Sequence, residues 1–527
     1  MDSLYIAENY ISTDSPPNYC GRRSPVQSNL NIDAWKKYAS IIDPVDPTLI
    51  PQLEFGFSMA IDFSHDIQVP VTNHPSARHE PAVIDEFIIK HCNSGALLGP
   101  FKQNPFPVNV FPSPMQVATS SSGKKRPVID LSYPKYHSVN SAIPRQWSEI
   151  PGFDGVFKLP THDDVCKAIL TTKDPLMFLV DLKSYYMQLP SDWRDTPYMC
   201  VAWRGCLYFH RRLPFGCRTS CLHAQRVTDA VVLIYTRVIP ASLSGYVDDF
   251  CSIVTALISA SAYAYFNGLL DELGLSRTID KCVTPALVAV FLGLLYHLRD
   301  MYMALPDDKL ARAVALMQLW LEKESCTKAQ VQSLLGHLNH IATVLHAARP
   351  FTSSVVDLLR EDKFPAVVNA DIKQDLDMWI QFLASDWSKK SIIKSQDLAV
   401  PDDILRVAVR HRTFVIYCDG HLQGYMLHDS EPSLPPSAMF AVAVWVAVHK
   451  HGQVFMNKVI KITVPFKSAA LLINRARSLC VGIRKMVRDM WLAQARLDCI
   501  VKAVVSPTKH SDMYEMYHNF LPVTLPH

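Results

Sequence analysis

Residues 244–254 read SGYVDDFCSIV, and the fold turns on how this stretch is understood. Asp248 and Asp249 stand side by side between Tyr246-Val247 and the β-forming run Phe250 to Val254. Adjacent carboxylates repel each other and are costly to bury. The chain carries its own control, because Asp-Asp occurs four times. Asp163-Asp164, Asp307-Asp308 and Asp402-Asp403 each follow a proline closely and precede a helical apolar pattern. Acidic residues there cap the first turn and meet the positive end of the helix dipole. Asp248-Asp249 has neither neighbour, so the pattern predicts the tip of a tight hairpin between two strands. A surface turn rich in aspartate would explain the pair if it stood alone.

It does not stand alone. Upstream, in DPLMFLVDLKSYYMQLP, a buried-strand run over Met177–Val180 ends on Asp181. If the two strands are neighbours, Asp181 and Asp248 converge at one sheet end, and converging carboxylates imply a divalent cation. Carboxylate oxygens completed by substrate phosphates and water suit Mg²⁺, with Mn²⁺ as an alternative. Two such ions would activate an attacking 3′-hydroxyl and stabilise a leaving pyrophosphate.

The rest of the chain sets bounds on this reading. Its 527 residues predict two to four domains, and 49% apolar against 19% charged residues supply large cores. A net charge of only +3 means that nucleic acid would be held by local basic patches. The 13 cysteines contain no C-x-x-C pair, which argues against a disulfide framework and zinc knuckles and suits a reducing compartment. Neither a signal peptide nor an apolar run of membrane-spanning length is present, so a soluble protein of the cytoplasm or nucleus, with no membrane partner, is expected.

Four segments follow from composition. Residues 1–80, rich in Pro, Asn, Ser and Asp, read as an extended or loosely packed N-terminal extension. Residues 81–300 begin with a helical pattern and continue through strand-like runs. Two of these, Val108–Phe111 and Pro127–Leu131, flank a Ser/Gly tip ending in Lys124-Lys125-Arg126, a candidate basic finger over a phosphate. Residues 301–395 are helical, with stripes at Leu310, Val314, Met317 and Leu321 and at Val331, Leu334, Leu335, Leu338, Ile341 and Leu345. Residues 405–527 return to strand and helix signals and are placed in a small α/β domain.

Several motifs now fall in one order, and together they resemble a reverse transcriptase. FLVDLKSYYMQL resembles the first catalytic motif, RRLPFGCRTSC the Leu-Pro-Phe-Gly motif, and YVDD the polymerase signature. LGLSRTIDKCVTPALVAVFLGLLY resembles the lysine motif followed by the primer grip, here Phe291, Leu292 and Gly293; KKRPVIDLSYP resembles the fingers motif. The resemblance implies an α+β right-hand polymerase of fingers, palm and thumb. It also implies a primed RNA or DNA template and deoxynucleoside triphosphates as partners. Asp181, Asp248 and Asp249 would be metal ligands, Asp249 the weaker. Lys281 would protonate the pyrophosphate. Lys125, Arg126, Phe215 and Gly216 would contact the nucleotide. Tyr186 would be the steric gate against a 2′-hydroxyl. LLGPF, together with LLGHLNHIATVLHAARP, is closest to DIRS-like elements, which pair with a tyrosine recombinase; a recombinase or Gag-like protein is an implied partner. HAAR at His346–Arg349 fits a recombinase pattern but reads as part of an amphipathic helix, as do His337 and His340.

Three departures stand out. Tyr185 occupies a position that the family usually gives to a small residue, close to the triphosphate. GCRTSC replaces the usual small and proline residues. FVIYCDG resembles the first strand of a ribonuclease H with Asp419 as ligand, but Ala470 in SAALL stands where a glutamate belongs. An inactive ribonuclease-H-like domain is expected. The leading expectation is an RNA-directed DNA polymerase of a retrotransposon. Its rivals are a non-catalytic remnant that only binds nucleic acid and a viral RNA replicase.

Overall fold

The computed structural model describes residues 26–62, 64, 72–106, 108–120, 123–150, 157–384, 389–392, 405–410, 413–418, 421–426, 434–456, 459–464, 467–475, 481–497 and 499–505. The chain divides between Leu287 and Val288, earlier than the boundary at residue 300 expected from sequence.

The first unit contains helices α1 (Ile32–Lys37), α2 (Ala39–Ile42), α3 (Leu49–Phe55), α4 (Pro75–His79), α5 (Pro81–Asn93), α6 (His162–Thr171), α7 (Ser220–Val238) and α8 (Ser259–Leu273). Its strands are β1 (Leu97–Phe101), β2 (Met115–Thr119), β3 (Lys125–Ile129), β4 (Pro175–Asp181), β5 (Cys200–Trp203), β6 (Cys206–His210), β7 (Ser242–Tyr246), β8 (Asp249–Thr255) and β9 (Val283–Ala286). The main sheet has the order β7-β8-β4-β9 and is antiparallel throughout. Phe178 and Phe250, on its central strands, meet Phe266 of α8 at 5.9 and 5.2 Å between ring centroids. Phe178 also meets Tyr235 of α7 edge-on. Met177 and Leu179 are buried as well, so both faces of β4 are covered.

The N-terminal segment is not loosely packed. Residues 26–62 wind through α1, α2 and α3 and enter the main core. Trp35 is fully buried and its indole N–H donates to the Leu273 carbonyl at 3.1 Å. Gly274 (φ +79°) ends α8, and a Cβ there would stand 2.2 Å from the Asn29 carbonyl oxygen. Proline and asparagine content misled because the segment's few large apolar residues carry its docking.

Local chemistry sets the helix starts. Thr161 and Asp164 form a capping box at α6, as the Asp163-Asp164 pair predicted. In the second unit, Asp307 and Asp308 open α9 (Asp307–Leu321), and Thr327 with Gln330 caps α10 (Lys328–Ile341). The fourth pair, Asp402-Asp403, lies outside the described residues. The α10 stripe is buried as expected, whereas α9 buries Ala313, Met317 and Trp320, leaving Leu310, Val314 and Leu321 half-buried. The bulky indole of Trp320 takes the core position. Residues His346–Thr352 form a 3₁₀ segment, not a continuation of α10. The unit continues through α11 (Ser353–Asp357) and α12 (Ala370–Ala384).

The second unit also holds β10 (Val288–Phe291), β11 (Leu294–His297), β12 (Tyr302–Ala304), β13 (Ser325–Cys326), β14 (Ala366–Val367) and β15 (Lys389–Ser391). Its C-terminal part has the meander β16 (Leu405–Arg410), β17 (Thr413–Cys418) and β18 (His421–Met426), then α13 (Pro436–Lys450) and α14 (Gly452–Phe455). Strand β19 (Val459–Val464), helices α15 (Lys467–Arg475) and α16 (Val481–Arg496), and strand β20 (Ile500–Val505) follow, with β19 parallel to β20. FVIYC is therefore the second strand of the meander, not the first, and Asp419 lies outside the described residues. The helix directly after the meander, α13, carries no Asp or Glu, and the buried Ala470 sits in the later α15. Ser353, Asp375 and Arg488 join α11, α12 and α16, with the Arg488 guanidinium 2.8 Å from the fully buried Asp375 carboxylate.

Candidate active site

Antiparallel pairing of β4 and β8 places Asp181 directly opposite Asp249. The β7–β8 hairpin closes with Tyr246 paired to Asp249, so Val247 and Asp248 form a two-residue turn. The Leu182 N–H donates to the Asp248 carbonyl at 2.9 Å and ties the turn to the end of β4. The three aspartates thus meet at one end of the main sheet, as the sequence pattern required.

Lys281 reaches the same point from a different direction. The Thr278 N–H donates to the Asp181 carbonyl at 2.7 Å, and a 3₁₀ turn over Ile279–Lys281 then turns the lysine back. Its Nζ lies 2.7 Å from Asp181 Oδ2. That contact is the main reason the Lys281 ammonium is held above its usual range. Burial, then the neighbouring Asp248 and Asp181 carboxylates, push Asp249 up to about 6. Asp248 shifts the same way, mainly through burial. Two carboxylates that resist ionisation beside a third paired to a lysine are a donor set short of positive charge, and its oxygen chemistry fits a hard divalent cation. Among the described residues no three such side chains already stand in a coordinating arrangement.

The turn that carries Asp248 is strained. Val247 is β-branched yet has φ +55°. Helix α7 holds it there. Gln225 Oε1 accepts from the Val247 N–H at 2.8 Å, and Gln225 Nε2 donates to the Gly245 carbonyl at 2.9 Å. Thr228 Oγ1 donates to the Val247 carbonyl. Gln225 and Thr228 went unnoticed in the sequence, although two polar residues three apart share one helix face.

Tyr185 and Tyr186 part company in a 3₁₀ turn over Tyr185–Gln188, entered through Ser184 at φ +49°. Tyr186 is half-buried and its ring meets Phe215 at 4.6 Å, with Phe215 about half exposed. Tyr185 points the other way. It is 1% exposed and packs in the core, which overturns the expectation that it crowds a triphosphate. Its hydroxyl donates to the Ala224 carbonyl at 3.0 Å.

The Leu-Pro-Phe-Gly turn is anchored by Asn140. Its amide donates to the Gly216 carbonyl at 2.7 Å, and its Oδ1 accepts from the Arg218 N–H at 2.8 Å. Arg218, one of the departures noted above, donates to the Ile143 carbonyl at 2.7 Å, so it stabilises the turn. Lys125 and Arg126 lie on β3 of the β2–β3 hairpin. Lys125 is engaged by Glu80, whereas Arg126 is exposed. Phe291 ends β10, and Leu292 (φ +47°) and Gly293 (φ +84°) form the turn into β11, all within the second unit. Lys309 Nζ donates to the Gly293 carbonyl at 3.1 Å.

No protein-family model matches the chain, and no curated protein matches it. Solved structures do. A foamy viral protease-reverse transcriptase dRH in complex with double-stranded DNA is similar at a TM-score of 0.51 and 16% identity, over 94% of this chain and 84% of that one. A foamy viral protease-reverse transcriptase in complex with an RNA/DNA hybrid gives 0.51 and 16% identity, over 92% of this chain and 62% of that one. The chain has a mixed helix-and-sheet reverse-transcriptase fold.

Proposed function

We propose that the chain is an RNA-directed DNA polymerase of a retrotransposon, adding deoxynucleotides to a primer 3′-hydroxyl. The observation that carries the proposal is the meeting of Asp181, Asp248, Asp249 and Lys281 at one sheet end. The ordered motifs of the sequence and the fold likeness support it, as do the neighbours' complexes with DNA and with RNA/DNA hybrid. Among the described residues no helix is long and apolar enough to cross a membrane.

Asp181 and Asp248, with Asp249 as a weaker contributor, would hold Mg²⁺ or Mn²⁺. Bound there, the ions supply charge stabilisation for nucleotidyl transfer and lower the pKa of the attacking hydroxyl. Lys281, now on Asp181, is placed to carry a proton to the leaving pyrophosphate once that carboxylate is otherwise engaged. Arg126 is assigned to bidentate phosphate binding, since Glu80 already occupies Lys125. Tyr186, backed by Phe215, would exclude a 2′-hydroxyl from the sugar pocket. Phe291 to Gly293 would steady the primer strand. We further infer a DIRS-like origin, with a separate recombinase and a Gag-like protein as partners, and a C-terminal domain without nuclease activity, since Ala470 stands where a glutamate ligand belongs and α13 carries no carboxylate.

The burial of Tyr185 removes the sequence feature that favoured a dead remnant. Primer extension on poly(rA)/oligo(dT) with Mg²⁺ or Mn²⁺ tests the proposal. The wild-type chain is expected to incorporate dTTP and Asp248→Asn to lose that activity. No incorporation by the wild type would sink the enzyme reading.

A further inference from the structure

We infer that Tyr185 is a positioning residue for Asp248, acting by keeping the Thr228 hydroxyl on the strained turn. The inference rests on the polymerase reading only where it concerns metal binding.

A threonine inside a helix ordinarily turns its hydroxyl back to the carbonyl four residues earlier. Two other helical threonines in this chain do so. Thr236, on the same helix as Thr228, donates to the Val232 carbonyl at 2.8 Å, and Thr171 donates to the Lys167 carbonyl at 2.9 Å. For Thr228 the equivalent acceptor is Ala224. That carbonyl is already taken by the Tyr185 hydroxyl at 3.0 Å. The same hydroxyl lies 3.1 Å from Thr228 Oγ1. Thr228 instead gives its proton to the Val247 carbonyl.

Proton accounting makes the consequence sharp. Each hydroxyl has one proton to give. With Tyr185 occupying Ala224, and its oxygen against Thr228, the Thr228 proton goes to Val247. Without the Tyr185 hydroxyl the Ala224 carbonyl is vacated, and Thr228 can rotate into the usual back-bond. Val247, held at φ +55°, then keeps only the Gln225 contact to its N–H. Asp248 is the next residue, and its carbonyl holds Leu182 at the end of β4. A small residue at position 185 would leave Ala224 open to Thr228, so the large aromatic at this site serves the turn.

Tyr185→Phe keeps the buried ring and removes only the hydroxyl. Amide hydrogen exchange of the peptide spanning 244–250 is expected to accelerate about fivefold, the factor that one net hydrogen bond supports. Peptides elsewhere in the main sheet should not change. Mn²⁺ affinity, measured by electron paramagnetic resonance, should fall by about the same factor. In primer extension kcat should fall while KM for dTTP holds. Thr228→Val should reproduce these effects, and the double variant should be no worse than either single. Val247→Gly, which accepts a positive φ, should restore slow exchange and Mn²⁺ affinity in part to Tyr185→Phe. Unchanged exchange at 244–250 in Tyr185→Phe, or additive effects in the double variant, would overturn the positioning role. A wild type that binds no Mn²⁺ would overturn the metal-site reading, while the exchange result would still decide whether Tyr185 holds the turn.

Discussion

Asp46 and Arg226 give the sharpest test of whether the N-terminal segment belongs to the core. The Arg226 side chain is 5% exposed and Asp46 is 22% exposed. Both nitrogen–oxygen contacts of the pair are 2.8 Å, and Arg226 also reaches Gln52 at 2.6 Å and Thr48 at 2.7 Å. Removing either partner breaks the same pair, but the group left behind differs. Asp46→Ala strands a buried guanidinium, which costs about 3–5 kcal/mol. Arg226→Met keeps the apolar stem and leaves a carboxylate that can still reach water, so the cost should be closer to about 1–2 kcal/mol. The double variant should be milder than Asp46→Ala alone, since no buried charge is left unpaired. Equilibrium urea unfolding reads this out, with hydrogen-exchange labelling used to identify the transition of residues 26–62 and α7. The Asp46→Ala midpoint should drop by roughly 1–2 M at an unchanged slope. Equal losses for the two single variants, or a loss below about 1 kcal/mol for Asp46→Ala, would refute the reasoning.

Two further outcomes are expected. Gly274→Ala should lower the urea midpoint by more than about 1 kcal/mol equivalent, because φ is +79° and the new methyl would meet the Asn29 backbone; a neutral result would mean that the close approach is not maintained. Burial pushes Asp375 up to about 6, above the value near 3.9 of an unfolded aspartate, so the folded state holds the extra proton between those values. Its contribution to stability is therefore largest at low pH and declines as pH rises from about 4 to about 6, then levels off. Relative to Asp375→Asn, the wild type should lose about 1–3 kcal/mol of stability between pH 4.5 and 7, and parallel urea profiles would contradict this.

Much of the site was legible because its signals are local. The comparison among the four Asp-Asp pairs separated capping from chemistry, and Thr161 with Asp164 bears out the capping half. Strand patterning around Asp181 and Asp249 was strong enough to suggest their meeting. The helical stripe on α10 was read residue for residue, since apolar spacing alone specifies it. The α9 stripe was misread by a rotation of its face, because the sequence pattern does not say that Trp320 outranks Leu321 for the core.

The sequence by itself determined which residues carry charge, where the strands end and which turn is too acidic to be ordinary. Only the tertiary structure decided the contacts between distant segments. It drew residues 26–62 into the first core through Trp35 and the Asp46–Arg226 pair. It turned Tyr186 toward Phe215 and its neighbour Tyr185 inward, a choice that adjacent tyrosines do not reveal. It also placed Gln225 and Thr228 against Val247, so that a helix holds a strained hairpin turn in place. Periodicity reports which face of an element is buried. It does not report what that face is buried against, because that depends on loop closure and packing between elements far apart in the chain.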